Sequence, residues 1–174
     1  MKTLVVLATF LSGILGAQSV NYEKLSEFLG NRVYEFEDYY KIKSDKVEDN
    51  FGNLTVDYKK VTIDDKTFDI VLTTEGKNIN HITLSNSADR TKYFAEAAKD
   101  LEKNTEVKKN YKTLFVSIVK KQGGKKIFFD NVTELMKALR DNTYDLTQWY
   151  GLVESQPLKT NLTIDSEKTL ITIK

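Results

Sequence analysis

Short alternating segments joined by tight turns are the feature that most constrains the fold of this chain. Apolar and polar residues alternate through residues 68–72, and a turn at residues 75–78 leads back into a second alternating segment at residues 82–84. Gly123-Gly124 forms another tight turn after the apolar run at residues 114–119. Strands that follow one another through turns this short pair in antiparallel fashion. The sequence therefore predicts an antiparallel sheet.

Other segments show the spacing of helices. Apolar residues recur every three or four positions in the ranges 22–29, 88–103 and 132–139. Asn131 and Glu134 have the spacing of a capping box at the start of the last range. The predicted order is one helix, four strands, one helix, two strands, one helix and three strands. We expect an α+β fold, with antiparallel sheet or sheets and three helices packed on one face.

Two stretches of the chain, residues 21–40 and 131–150, resemble each other. Each reads as a helix that runs into a strand, and the first of these strands is predicted at residues 32–42. The identical pairs are Asn21 and Asn131, Leu25 and Leu135, Leu29 and Leu139, Tyr34 and Tyr144, and Tyr40 and Tyr150. The pattern predicts an internal duplication of a helix-plus-meander unit. Two unrelated segments with the same local design are the alternative.

The predicted duplication gives a division of the chain. Residues 1–17 are expected to be a signal peptide, residues 18–104 the first unit and residues 105–174 the second, related unit. The boundary falls in the lysine- and asparagine-rich stretch at residues 103–112. One continuous domain is the alternative to two units.

Residues 1–17 have the features of an export signal. Lys2 supplies the positive start, residues 4–15 are mainly apolar, and Gly16-Ala17 offers small residues for cleavage before Gln18. The apolar run is too short for a membrane span. We therefore expect an exported protein, either periplasmic or secreted.

Cysteine usage and glycosylation sequons give opposite indications of the host. The chain has no cysteine, whereas small secreted eukaryotic domains usually carry disulfides, and this favours a bacterial protein. Asn53, Asn131 and Asn161 begin Asn-x-Thr sequons, which are glycosylation acceptors in eukaryotic secretion. Local structure also accounts for these residues, since Asn131 fits a helix N-cap and the other two precede strands. A bacterial origin is the favoured interpretation.

Several chemistries are excluded by composition. Without cysteine, and with His81 as the single histidine, the chain can form neither a thiol nucleophile nor a histidine-rich zinc site. His81 is expected to be an ordinary strand residue on the same face as Ile79. No phosphate-binding glycine loop is present, and a net charge of +1 produces no strong field for nucleic acid. We expect no cofactor, metal or nucleic-acid partner, and a non-enzymatic role is favoured over an enzymatic one.

Two charged segments have predicted structural roles. Residues 43–52 are charged and polar, and Asp45, Glu48, Asp49 and Asn50 cluster there without the spacing of a calcium-binding EF-hand, so a solvated loop is expected. Lys59-Lys60 separates Tyr58 from Val61 and Ile63, whose apolar side chains fall on the opposite parity. A β-bulge at the lysine pair would bring these residues onto one face.

Two aromatic residues are candidates for ligand binding. Tyr39 and Trp149 correspond in the repeat, at the opposite parity to the core-facing Tyr40 and Tyr150. Exposed aromatic side chains are common anchors for peptides, sugars and protein partners. If a helix covers that sheet face, Tyr39 and Trp149 are core residues instead.

A lysine-rich hairpin is the second candidate surface. Its tight turn is flanked by Lys120, Lys121, Lys125 and Lys126. Four clustered cations can contact an anionic surface such as lipid headgroups or an acidic partner. Protection of an exposed hairpin against aggregation explains the same lysines more simply.

Three functions fit these features. The first is an exported, non-enzymatic binding module that holds a protein or peptide ligand around Tyr39 and Trp149. The second is a carrier that encloses a hydrophobic small molecule among the aromatic inner residues of a curved sheet, such as Tyr34, Phe36, Tyr58, Phe68, Tyr144 and Tyr150. The third is a hydrolase of sugar or cell-wall material that uses carboxylates such as Glu35, Glu37 and Asp38.

The intact mass of the protein from its native host tests both the export signal and the sequons. We expect a chain that starts at Gln18 and carries no sugar on Asn53, Asn131 or Asn161. Native mass spectrometry measures both properties at once. A chain that retains residues 1–17 contradicts export by this signal, and hexose-containing adducts contradict a bacterial origin.

Overall fold

The structure, a computed structural model, describes residues 20–107, 113–120, 126–141, 149–156, 160–164 and 167–174. The predicted signal peptide lies outside these residues. Four helices are present within the described ranges: α1 (Tyr22–Ser26), α2 (Val33–Tyr40), α3 (Arg90–Val107) and α4 (Val132–Arg140). The strands are β1 (Lys46–Asn50), β2 (Asn53–Ile63), β3 (Lys66–Glu75), β4 (Asn78–Asn86), β5 (Thr113–Lys120), β6 (Ile127–Phe129), β7 (Trp149–Gln156), β8 (Thr160–Ile164) and β9 (Thr169–Ile173).

The strands form one antiparallel sheet, so the α+β class is confirmed at this level. Its nine described strands lie in the order β1-β2-β3-β4-β9-β8-β7-β5-β6. The pairing of β4 with β9 joins strands from either side of the predicted unit boundary at residue 104. The division of the chain into two units remains a prediction.

Residues 33–40 form a helix, so the predicted strand at residues 32–42 is wrong. Phe36 and Tyr40 are four residues apart. This spacing puts two residues on the same face of a helix and also on the same face of a strand, so it does not distinguish the two structures. Phe36 is buried, whereas Asp38 and Tyr39 are exposed. The helix ends at Lys41, which adopts a left-handed conformation with φ 54° and donates its N–H to the Glu37 carbonyl.

The structure does not confirm the internal duplication. Tyr39 and Tyr40 lie in a helix, whereas their proposed counterparts Trp149 and Tyr150 lie in β7. Residues 142–148, which include the rest of the second predicted helix-to-strand segment, are outside the described residues. The placement of three helices on one face is likewise not confirmed as predicted, and the described helices number four.

Burial alternates along the strands and defines a single core. In β8 and β9 every second residue is buried, and β3 follows the same pattern through Phe68, Ile70 and Leu72. These side chains belong to one cluster with buried residues of all four helices. Burying a large apolar side chain contributes about 1.5–3 kcal/mol, so the cluster is the main source of stability.

The predicted β-bulge at Lys59-Lys60 is confirmed. The register between β2 and β3 shifts between Tyr58 and Val61, and both of these residues are buried. Lys60 takes up the extra residue in a left-handed conformation, with φ 53°. The bulge keeps the apolar side chains on both sides of it in the core.

A second bulge, between β3 and β4, was not predicted. The register shifts between Thr73, which pairs with His81, and Thr74, which pairs with Ile79. Ile79 is consequently buried although His81, two residues further on, is only partly buried. The prediction that these two residues share a strand face is wrong, because the bulge changes the parity between them.

Residues 46–50 form an edge strand rather than part of a loop. All five side chains of β1 are exposed, and Lys46 forms an ion pair with Glu48. Phe51, which is fully exposed, and Gly52 connect β1 to β2 with φ angles of 56° and 88°, as a type I′ hairpin turn requires. The opposite edge of the sheet is β6, which has three residues and exposes Phe128.

An ion-pair cluster connects the sheet to α3. The Lys66 ammonium at the start of β3 lies 3.0 Å from a Glu96 carboxylate oxygen and 3.8 Å from a carboxylate oxygen of Asp100. The two acids are four residues apart and therefore share one helix face. Burial, together with the Asp100 and Glu96 charges, raises the pKa of the Tyr22 phenol, which stays protonated.

Among the described residues, none of the helices has the length and apolar character that a membrane span needs.

The N-cap of α4 provides a test of the local structure. The Asn131 side chain accepts a hydrogen bond of 2.9 Å from the Glu134 N–H, as the sequence predicts. Replacing Asn131 with Ala should lower the free energy of unfolding by about 1 kcal/mol, measured by urea denaturation. Thr133→Ala, at an exposed position of the same helix, is the control and should change it by less than about 0.5 kcal/mol. Equal losses in both variants would contradict this role of the cap.

Candidate binding surface

The helical hairpin of α1 and α2 is held against the sheet by its connecting segment. The Gly30 N–H donates to the Ile79 carbonyl at 2.7 Å, and the Ile79 N–H donates to the Asn31 carbonyl at 2.9 Å. Arg32 then forms an isolated antiparallel bridge with Asn78. The start of α2 is therefore fixed to β4 by backbone hydrogen bonds.

Aromatic rings form a continuous path from the core to the surface of this hairpin. Tyr58 of β2 and Phe36 of α2 are fully buried, with ring centroids 6.0 Å apart. Phe36 contacts Tyr40 at 4.8 Å, and Tyr40 contacts Tyr39 at 4.9 Å in an edge-to-face arrangement. The ring of Phe28, in the turn after α1, lies 5.3 Å from that of Tyr39. Aromatic pairs of this geometry each contribute about 0.5–1.5 kcal/mol beyond burial.

Tyr39 is the exposed end of this path. Its side chain is 53% exposed, and the Lys24 ammonium lies 5.0 Å from the centre of its ring. Lys24 is in turn held by Glu27, with a nitrogen–oxygen distance of 2.6 Å. We call Lys24, Phe28, Tyr39 and Tyr40 the Tyr39 surface. Because rings and charge restrain one another there, Tyr39 is held in place before any ligand binds.

The buried tyrosines of the path remain protonated. The Tyr58 hydroxyl donates a hydrogen bond of 3.1 Å to a Glu37 carboxylate oxygen. Burial raises the pKa of Tyr58, and the Glu37 carboxylate raises it further. Burial also raises the pKa of Tyr40, with a smaller effect from Tyr39. The pKa of each tyrosine is higher in the folded protein than in the unfolded chain, where it is about 10. The resulting contribution to the free energy of unfolding is fully present below pH about 10 and is lost as the pH rises through the folded-state pKa, in strong alkali.

Of the two alternatives for Tyr39, an exposed residue or a core residue, the structure shows the exposed one, and the equivalence of Tyr39 with Trp149 is not confirmed. Tyr39 is exposed on a helix, and Trp149 begins β7, so the two do not occupy equivalent strand positions. Four strands separate β7 from β2, the strand against which α2 packs through Phe36 and Tyr58. With strands about 4.8 Å apart, the separation along the sheet is about 24 Å. A role in ligand binding remains a prediction for each residue by itself.

The lysine hairpin is described only in part. Lys120 ends β5, and Lys126 is exposed immediately before β6. Lys121 and Lys125 lie outside the described residues. Contact of these four lysines with an anionic surface therefore remains a prediction.

Carboxylates predicted as candidates for hydrolysis do not share a strand face. Glu35, Glu37 and Asp38 lie on α2, where Glu35 and Glu37, the pair expected to share a strand face, point to different sides of the helix, whereas Glu35 and Asp38, three residues apart, share one face. Glu37 accepts a hydrogen bond from Tyr58, which gives it a structural role.

The acidic segment before β2 also has structural roles. Asp45 accepts a hydrogen bond from the Lys59 N–H, and Asp49 accepts one from the Gly52 N–H, both at 2.7 Å. Among the described residues, no three histidine, aspartate or glutamate side chains are grouped to hold a metal ion.

The aromatic residues expected to line a carrier cavity are mostly packed together. Phe36, Tyr58 and Phe68 are buried in the core, and Tyr34 is 61% exposed. Tyr144 lies outside the described residues, as does the side chain of Tyr150. The part of this set that the structure describes therefore does not form the lining of one cavity.

A polar groove of about 530 Å³ lies where β2 and β3 approach the start of α3. Lys59, one of three lysines that line the groove, lies 3.2 Å from the Asp69 carboxylate, which also accepts the Lys60 N–H at 3.0 Å. The hydrogen bond from the Lys60 N–H and, to a smaller extent, the Lys59 ammonium lower the pKa of Asp69 despite partial burial. The Phe68 and Tyr93 rings form one wall, with centroids 5.7 Å apart.

Comparison with protein-family models, with curated proteins and with solved structures finds no match to this chain.

Alanine substitutions should separate the surface from the core. Tyr39→Ala removes a half-exposed ring and should lower the free energy of unfolding by about 1 kcal/mol. Phe36→Ala, on the same helix, empties a fully buried site and should cost about 3–5 kcal/mol. Chemical denaturation of the two variants beside the wild type measures both values. A loss at Tyr39 as large as that at Phe36 would show that Tyr39 is a core residue.

Proposed function

We propose that this protein is an exported, non-enzymatic binding module that holds a protein or peptide ligand on the Tyr39 surface. The observation that carries the proposal is the half-exposed Tyr39 ring, which is supported from below by Phe28 and Tyr40. Export rests on the sequence of residues 1–17.

The geometry of the Tyr39 surface suits a binding anchor. Tyrosine is enriched among the residues that dominate interface energies, because it offers a large amphipathic area with few rotatable bonds. Ring contacts and the Lys24 cation restrain Tyr39 in the free protein. A ligand that covers the ring therefore loses little free energy to ordering this side chain.

The neighbouring charge adds selectivity. Lys24 lies over Tyr39 and its side chain is 36% exposed, so a ligand on the ring also meets an ammonium group. Its pairing with Glu27 keeps the local charge balanced, which disfavours a nonspecific attraction of anions. Shape and aromatic contact would then select the ligand more than net charge.

The two alternative functions have no comparable support. A carrier requires aromatic residues around an open cavity, and the described candidates Phe36 and Tyr58 contact each other in the core. A hydrolase requires two convergent carboxylates in a cleft, and of those on α2 Glu37 is bonded to Tyr58 and lies on a different side of the helix from Glu35.

Photo-crosslinking from the surface itself tests the proposal. A benzoylphenylalanine placed at Tyr39 should crosslink a defined host polypeptide when the protein is expressed and exported in its native host. The same residue at Lys99, an exposed position on α3, is the matched control and should give no such product. Mass spectrometry of the crosslinked species identifies the partner and the contact.

Affinity for the identified partner then tests the role of the ring. Tyr39→Ala should weaken binding by about 30-fold or more, as expected for a dominant anchor, whereas Tyr39→Phe should change it by less than about 5-fold. Isothermal titration calorimetry measures both. The proposal is wrong if position 39 yields no crosslink, or if Tyr39→Ala binds the partner as tightly as the wild type.

A further inference from the structure

A second concave site lies at the beginning of α2. A groove of about 430 Å³ is lined by Arg32, Val33, Tyr34, Leu54 and Lys77. These residues come from the start of α2, the start of β2 and the turn between β3 and β4. The groove therefore combines two cations, an exposed tyrosine and two partly buried apolar side chains.

The two cations of this groove are not neutralised within the described part of the chain. The ion pairs found there join Lys24 to Glu27, Lys46 to Glu48, Lys59 to Asp69, and Lys66 to Glu96 and Asp100. Arg32 and Lys77 form none of these pairs, and both are exposed. Arg32 is also the residue before α2, and its side chain makes no capping hydrogen bond. Both charges are consequently available to a ligand.

The walls of the groove are fixed by backbone hydrogen bonds. Arg32 is bridged to Asn78, the residue that follows Lys77. The Leu54 N–H donates to the Thr74 hydroxyl at 2.7 Å, which holds the start of β2 against β3. The backbone of the groove is therefore in place before a ligand arrives, and binding has to order only the exposed side chains.

We propose that this groove binds an acidic segment of a peptide, with a carboxylate between Arg32 and Lys77 and an apolar or aromatic side chain against Tyr34 and Leu54. The guanidinium fork of arginine matches a carboxylate in two parallel hydrogen bonds. Tyr34, which is 61% exposed and makes no ring contact with another described residue, supplies an amphipathic surface beside those charges. Exposure of an unpaired aromatic ring next to unpaired cations is the pattern that an acidic, partly apolar peptide complements.

This inference rests on the proposed function, because it assigns the groove to the same peptide or protein ligand. Tyr34 and Tyr39 lie five residues apart on α2, which corresponds to about 7.5 Å along the helix axis and about 140° around it. A single ligand that contacts both the Tyr39 surface and the groove therefore has to curve around the exposed side of α2.

Two blocked peptides that differ only in charge test the groove. The probes are N-acetyl-Tyr-Glu-Glu-amide and N-acetyl-Tyr-Gln-Gln-amide, titrated into the isotope-labelled full-length mature protein and followed by amide chemical shifts. The glutamate probe should shift the amides of Arg32, Val33, Tyr34 and Lys77 with a dissociation constant on the order of 1 mM. The glutamine probe should bind at least about 10-fold more weakly.

Charge removal in the groove provides the matched variant. Arg32→Gln with Lys77→Gln should abolish the preference for the glutamate probe. Lys92→Gln with Lys99→Gln removes the same charge from exposed positions of α3 and should retain the preference. If the Arg32/Lys77 variant does not fold, the difference in affinity of the wild type for the glutamate and glutamine probes still tests the proposal.

The outcomes separate this inference from the proposed function. Equal binding of the two probes to the wild type overturns the groove assignment, as does an unchanged preference in the Arg32/Lys77 variant. Inorganic phosphate that shifts the same amides as strongly as the glutamate probe also overturns it, because the groove is then a general anion site. Selective binding of the glutamate probe without a host crosslink from position 39 supports the groove and contradicts the function proposed for the Tyr39 surface.

Discussion

The pairing of β4 with β9 is the contact on which the rest of the structure depends. It aligns Ile82 with Ile173 and Asn86 with Thr169, and it joins the first meander to the last strands of the chain. The buried residues of the two strands continue one core across this junction. Because the partners lie far apart in sequence, closing the intervening loop costs entropy that only the assembled core repays. We therefore expect the sheet to become stable only when both halves of the chain are present.

Much of the fold could be predicted from local patterns, and the errors have identifiable physical causes. The hairpin turn at residues 75–78, the cap at Asn131 and the bulge at Lys59-Lys60 follow from residue type and spacing, whereas the predicted turn at Gly123-Gly124 lies outside the described residues. The helix α2 was missed because Phe36 and Tyr40 fit both a strand period and a helix period, and tertiary packing decides between them. The edge strand β1 was missed because all of its side chains are exposed, so it shows no alternation.

The candidate site was predictable only in part. The exposure of Tyr39 could not be decided from the sequence, because the argument used a strand face at residues 32–42, and in the structure Tyr39 is exposed on a helix. The contact of Lys24 with the Tyr39 ring could not be predicted either, since it depends on how the α1–α2 hairpin folds back. The groove beside Tyr34 brings together residues of three separate elements. Their proximity follows from strand register, which the sequence does not specify on its own.

The two edges of the described sheet differ in length and charge, and both properties affect self-association by strand pairing. Unpaired edge strands are templates for another chain, and charged side chains discourage such pairing. The β1 edge carries Lys46, Glu48 and Asp49 among its five exposed residues, whereas the short β6 edge exposes Phe128. Charge therefore disfavours strand addition at β1, whereas β6 has no charged residue and depends on its short length and on the lysines beside it. Two molecules joined through β6 would form a closed pair, because both outer edges of the combined sheet would then be the charged β1 strands.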